Sequence, residues 1–124
     1  MSWPPKIGEP LPQARQAIGV RKKLVTYSLD IAHQYGGPKA RGFERILGIT
    51  VEHVDHLEAE IRAGILTEPV SAIRAAIPTG FSCVVEVKVR GLDLKSGRLV
   101  TVRTAWLLTG PGAPPRMTTA FPKP

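Results

Sequence analysis

The sequence predicts an α+β domain in which N-terminal helices pack on a small antiparallel sheet. Two observations carry this. Apolar residues recur at helical spacing in the first half of the chain, as in Ala40, Phe43 and Leu47, or Val54, Leu57, Ile61 and Ile65. After Pro69 the period changes to two: Cys83, Val85, Val87 and Val89 alternate with Glu86, Lys88 and Arg90. Helices first and strands second is the order of an α+β fold with helices covering one sheet face.

Residues 1–19 read as a proline-rich arm, either loose or an extended cover, with a short helix over PQARQAIG ended by Gly19. Residues 20–124 form the domain proper. VRKKLVTYSLD spaces Leu24, Tyr27 and Leu29 for a helical face, although Val25 and Thr26 also suit a strand. The loop IAHQYGG leads to Pro38, which fits a first helical turn where its missing N–H costs nothing, and Gly48 stops that helix. Thr50 caps a further helix, VEHVDHLEAEIRAG; His53 and His56 lie off its apolar stripe and read as solvated or paired surface residues. VSAIRAAIP fits either a short helix or an edge strand. FSCVVEVKVRGL and RLVTVRTAWLL, joined by the turn DLKSG, form an antiparallel hairpin, and RMTTAFP is a third, shorter strand beyond the break GPGAPP.

Composition narrows the function. The 124 residues are 43% hydrophobic and 22% charged, which suits one domain with one core. No apolar run approaches the ~20 residues that span a bilayer. Prolines in MSWPPKIGEPLP interrupt any secretory signal, so a cytoplasmic site of action is expected. Cys83 is the single cysteine; it reads as a buried thiol, and with three scattered histidines it makes no zinc set, so neither metal nor cofactor is expected. Lysine and arginine number 17 against 10 acidic residues, a net charge of +7 and a pI near 10.1. Such a field attracts polyanions: RNA, DNA or an acidic protein.

The stretch HQYGGPKARGF, residues 33–43, is the most suggestive segment. A helix start favours an anion, and Gly36 and Gly37 would let a phosphate approach the backbone. Lys39 and Arg41 add cations on a turn where cations are otherwise unfavourable. His33 offers a proton-transfer group near neutrality; its plainer reading is a loop histidine that ties backbone groups together. On the far sheet face Lys88, Arg90 and Arg103 stand with Thr118 or Thr119. That face reads either as a floor for a phosphodiester or as a solvated surface with ion pairs such as Glu86 with Arg103. RNA carries its own nucleophile, the 2′-OH, so its cleavage without metal needs proton-transfer groups and cations for the phosphorane, which His33, Lys39, Arg41 and Arg103 could supply, with Tyr27, Thr118 or Thr119 as donors. DNA lacks that hydroxyl.

KLVTYSLDIAHQYGGPKARGFERILGIT, VRTAW at 102–106 and TTAFP at 118–122 together match, in order, the pattern K-L-x-x-Y-x-L, H-x-x-G-x-x-K-A-x-x-F-x-x-x-L-G, V-R-T-x-W and T-A-Y/F-P. This resembles a family of small bacterial toxin-tip domains within the barnase–EndoU–colicin–RelE fold group. The resemblance spans Lys23 to Pro122 and implies helices on a four- or five-stranded antiparallel sheet. It also implies a metal-independent ribonuclease activity on tRNA or mRNA, and a cleft shared by His33, Lys39, Arg103 and Thr119. A small acidic antitoxin or immunity protein would be the partner. The family's tyrosine at the end of T-A-Y/F-P is Phe121 here, so no hydroxyl stands at that position. A non-catalytic basic module that binds RNA or an acidic protein is the alternative.

Overall fold

The computed structural model describes residues 3–123; positions 1, 2 and 124, at the ends of the expected arm and domain, lie outside the described residues. The fold is α+β. Helix α1 spans Val20–Lys23 and runs directly into a π turn over Leu24–Ser28. Helix α2 spans Gly37–Leu47 and helix α3 Val54–Thr67. The strands are β1 Val70–Ala75, β2 Phe81–Arg90, β3 Leu99–Leu108 and β4 Arg116–Pro122. They form one four-stranded antiparallel sheet in the order β1-β2-β3-β4. Among the described residues no helix is long and apolar enough to cross a membrane.

The period-two strands put one set of side chains under the helices. Cys83, Val85, Val87 and Val89 of β2 and Val102, Trp106 and Leu108 of β3 are buried there, with Met117 and Ala120 of β4. The helices supply Leu24, Phe43, Leu47, Leu57, Ile61 and Ile65 to the same core, matching the stripes expected for α2 and α3. Thr104 is the polar member on β3. Its hydroxyl donates to the Val85 carbonyl at 2.7 Å and accepts from Trp106 Nε1 at 2.8 Å, so the indole N–H is satisfied inside an apolar layer.

Three local expectations are refined. The helix expected near residues 12–19 is a single 3₁₀ turn, Ala14–Gln16, because Gln13 and Gly19 on either side have positive φ and break the helical path. The arm is a packed cover. Gly8 N–H donates to the Val70 carbonyl, Val70 N–H to the Glu9 carbonyl, and Leu11 and Ala17 enter the core. VSAIRA is the edge strand β1, which pairs along β2 with a bulge between Val70 and Ala72.

Two further features position the candidate site. The π turn inserts an extra residue, closed by Leu29 N–H on the Leu24 carbonyl, which buries Leu24, Ser28 and Leu29 and leaves Tyr27 half-exposed beside the core. Such wide turns frequently mark functional positions. Helix α2 lies against β4, where Gly42 faces the ring of Pro122. This brings the first turn of α2 to the end of the sheet that carries Phe121.

Candidate functional site

His33 sits in the turn between α1 and α2. Its Nδ1 accepts two backbone N–H groups, from Tyr35 and from Gly36, each at 3.0 Å, and its carbonyl accepts the N–H of Gly37 at 2.8 Å. A nitrogen that accepts two donors carries no hydrogen of its own, so the neutral ring holds its proton on Nε2. The imidazole stands edge-on to Tyr27, with centroids 4.8 Å apart and planes at 82°.

These bonds correct the phosphate cradle expected at Gly36 and Gly37. Both N–H groups are already used by His33, and Pro38 has none. Both glycines are buried and are needed for packing: a Cβ on Gly36 would lie 2.0 Å from the Tyr27 carbonyl oxygen, and one on Gly37 would lie 2.8 Å from that of Ile31. Their bareness lets the loop press against the π turn. Arg41 turns away from Lys39, two positions along the helix; it lines a depression with Pro38, Gly42, Glu44 and Arg45, and its Nη1 lies 3.5 Å from where a Cβ on Gly37 would stand.

Lys39 joins the loop to the sheet. Its Nζ donates to Tyr27 Oη at 2.8 Å and lies 4.6 Å from the centroid of that ring and 6.0 Å from that of Phe121. Phe121 is the cross-strand partner of Arg103. His33, Tyr27, Lys39, Phe121 and Arg103 therefore form one chain of neighbours from the α1–α2 loop onto the open face.

That face holds a groove of about 420 Å³ whose lining includes Arg103, Thr119 and Phe121. Pairing registers set its floor. Ala72, Val84, Ala105 and Thr119 stand opposite one another across all four strands, with Glu86, Arg103 and Phe121 on one flank and Arg74 and Ser82 on the other. The Thr119 hydroxyl is buried without a hydrogen-bond partner among the described residues. Thr118 occupies the β4 bulge, is exposed, and donates to the Ala105 carbonyl at 3.2 Å. Lys88 and Arg90 share the open face but lie beyond Glu86, outside the groove lining; Lys88 Nζ donates to the Thr101 hydroxyl.

The ion pair weighed between Glu86 and Arg103 is replaced by another. Glu86 pairs with Lys123 at 2.9 Å, and that hydrogen bond holds its carboxyl below the usual carboxylate range, with smaller Coulombic help from Lys123, Arg103 and Lys88. Arg103 and Arg74 have no hydrogen bond or ion pair among the described residues. Sequence reasoning missed Arg74 because VSAIRAAIP carries no clear period; Ser82 sits on the cleanly alternating β2, and only the Arg74–Ser82 register places the two beside the floor. The off-stripe histidines are paired, His53 Nδ1 accepting from Thr50 N–H and His56 Nε2 donating to the Arg90 carbonyl.

The model of DUF6883, a domain of unknown function, matches residues 10–124. The chain belongs to this family. No curated protein and no solved structure matches it. In this DUF6883 chain the matched span takes in every residue of the loop and groove described above.

Proposed function

We propose that the chain is a metal-independent endoribonuclease of toxin type that acts in the cytoplasm and is held in check by a small acidic antitoxin or immunity protein. The observation that carries this reading is the position of Lys39, whose ammonium contacts the Tyr27 hydroxyl and the Phe121 ring at once. In this reading Lys39 and Tyr27 are a proton-handling pair beside the groove lined by Arg103, which has no ion pair among the described residues. The basic charge and the resemblance to toxin-tip ribonucleases support the choice of RNA.

In the proposed reaction the 2′-oxygen bonds to phosphorus as its proton departs. The bond from phosphorus to the 5′-oxygen then breaks, and that oxygen takes up a proton. The products are a 2′,3′-cyclic phosphate and a 5′-hydroxyl. Lys39 and Arg103 neutralise the phosphorane, and Thr119 donates to it. With Nδ1 occupied, His33 serves on the donor side through Nε2–H. Tyr27 serves on the base side only as the phenolate, its proton given up to solvent beforehand and its charge balanced by the Lys39 ammonium, so that it takes the 2′-proton. Total RNA incubated with purified protein and EDTA should yield cyclic-phosphate ends, and Lys39→Met should remove the activity. Cleavage that stops with chelator, or that survives in Lys39→Met, overturns this assignment.

One observation favours a second reading. His33 Nδ1 is consumed by two backbone donors, which is what a purely structural loop histidine would show. A basic module that holds RNA or an acidic protein without cutting predicts salt-dependent affinity and intact RNA after long incubation.

A further inference from the structure

The floor of the groove is built from small apolar side chains, Ala72, Val84 and Ala105, with Thr119 closing the row. Two cations without an ion pair among the described residues sit at its opposite corners. Arg74 pairs with Ser82 and Arg103 with Glu86, four positions apart on β2, so their Cα atoms stand roughly 13 Å apart along the strands and roughly 10 Å across them. Neither guanidinium has a hydrogen bond or ion pair among the described residues; Glu86, beside Arg103, is bonded to Lys123 and interacts with Arg103 only through a weaker Coulombic attraction. Between them lies Thr119, whose buried hydroxyl has no hydrogen-bond partner among the described residues.

Two cations about 16 Å apart at Cα suit two phosphates of one strand better than a single small anion. An apolar floor between them suits the face of an unpaired base, which a duplex keeps stacked inside. We propose that the groove seats a single-stranded nucleic-acid segment, with Arg74 and Arg103 on two phosphates of that strand, a base between them on the Ala72–Val84–Ala105 floor, and Thr119 beside it. Arg74 is thereby a binding residue. The inference rests on the reading of the chain as RNA-directed, but not on cleavage.

The test uses fluorescence anisotropy with a short 2′-O-methyl oligonucleotide, which cannot be cut through its 2′ position, as a single strand and as a hairpin duplex of the same length. The expected result is at least tenfold tighter binding of the single strand, and no measurable binding of inorganic phosphate or a mononucleotide at the same concentrations. Arg74→Gln should weaken the single-strand complex about tenfold and reduce the slope of log K against log salt by about 0.7, the value for one phosphate contact on a single strand. Ala105→Phe, which fills the floor, should weaken binding at an unchanged slope, and Arg45→Gln, in the separate depression, should do neither. Equal affinity for duplex and single strand, or wild-type binding by both Arg74→Gln and Ala105→Phe, overturns the proposal. This binding pattern without any cleavage of ordinary RNA overturns the nuclease reading alone. Cleavage of RNA without this binding pattern overturns the groove assignment alone.

Discussion

Lys39 Nζ donates to Tyr27 Oη at 2.8 Å while lying 4.6 Å from the centroid of the same ring. The phenol thus holds the ammonium by two means, a charged hydrogen bond and the ring's negative face. Tyr27→Phe separates them: the ring, its edge contact with His33 and its attraction for the cation remain, and the oxygen is lost. The expected outcome is a fall of about 10²-fold in RNA cleavage, in the range for loss of a proton-transfer group, with a stability change of about 1 kcal/mol. Cleavage rates at matched concentrations and urea denaturation measure the two. Undiminished cleavage by Tyr27→Phe would take the hydroxyl out of the chemistry.

Gly36 gives a structural prediction at the same place. An added Cβ meets the Tyr27 carbonyl carbon at 2.7 Å and its oxygen at 2.0 Å, and backbone cannot yield as a flexible side chain would. Gly36→Ala should destabilise the fold by about 3 kcal/mol, the upper range for overpacking. The shift also displaces the N–H that Gly36 gives to His33 Nδ1. Gly97, whose Cβ would meet nothing within 4 Å, is the control: Gly97→Ala should be neutral or raise stability by up to about 1 kcal/mol through the unfolded chain. Denaturant midpoints for the pair decide it, and equal midpoints would refute the packing argument.

In the core, Thr104 is the only described partner of the Trp106 indole N–H. Thr104→Val keeps the shape but leaves that donor and the bond to the Val85 carbonyl without the hydroxyl. The expected loss is about 2 kcal/mol, the cost of a buried unsatisfied donor. Thr104→Ser, which keeps the oxygen and removes a methyl, should cost about 1 kcal/mol. A valine variant as stable as the parent would show that the bond contributes nothing net.

The sheet and the two long helices were legible because their periods are clean: Val54 to Ile65 at helical spacing and Cys83 to Val89 at alternation both mark buried faces. The edge strand was not, since a bulge after Val70 shifts its period and its short apolar residues fit helix equally well. At the site, His33, Lys39 and Arg103 could be picked out by chemistry, and the structure links them through Tyr27 and Phe121. The roles of Gly36 and Gly37 could not, because a bare backbone position looks alike in sequence whether a phosphate or a neighbouring carbonyl fills the space. Which carboxylate neutralises which cation also depends on register and reach, and Lys123, at the far end of the chain, is the cation bonded to Glu86, with Arg103 its weaker Coulombic partner.

Cys83 supplies the pH prediction. It is fully buried on β2, and burial pushes its thiol up from an ordinary value of 9.0 to about 11. The cause is loss of hydration, which penalises the thiolate alone. With the folded value raised, the unfolded chain releases its proton first. The favourable contribution of the neutral thiol is therefore complete below pH 9 and declines as pH rises from about 9 towards 11. Two outcomes follow. A thiol-specific disulfide reagent at pH 8 should label native protein only at the rate of global opening, and label it at once in denaturant. The stability of the parent should also fall more steeply than that of Cys83→Ala between pH 9 and 11, although the alanine variant is less stable throughout by the lost sulfur packing. Rapid labelling of the folded protein, or parallel stability curves for the two chains, would place the thiol in contact with water and cancel the burial argument.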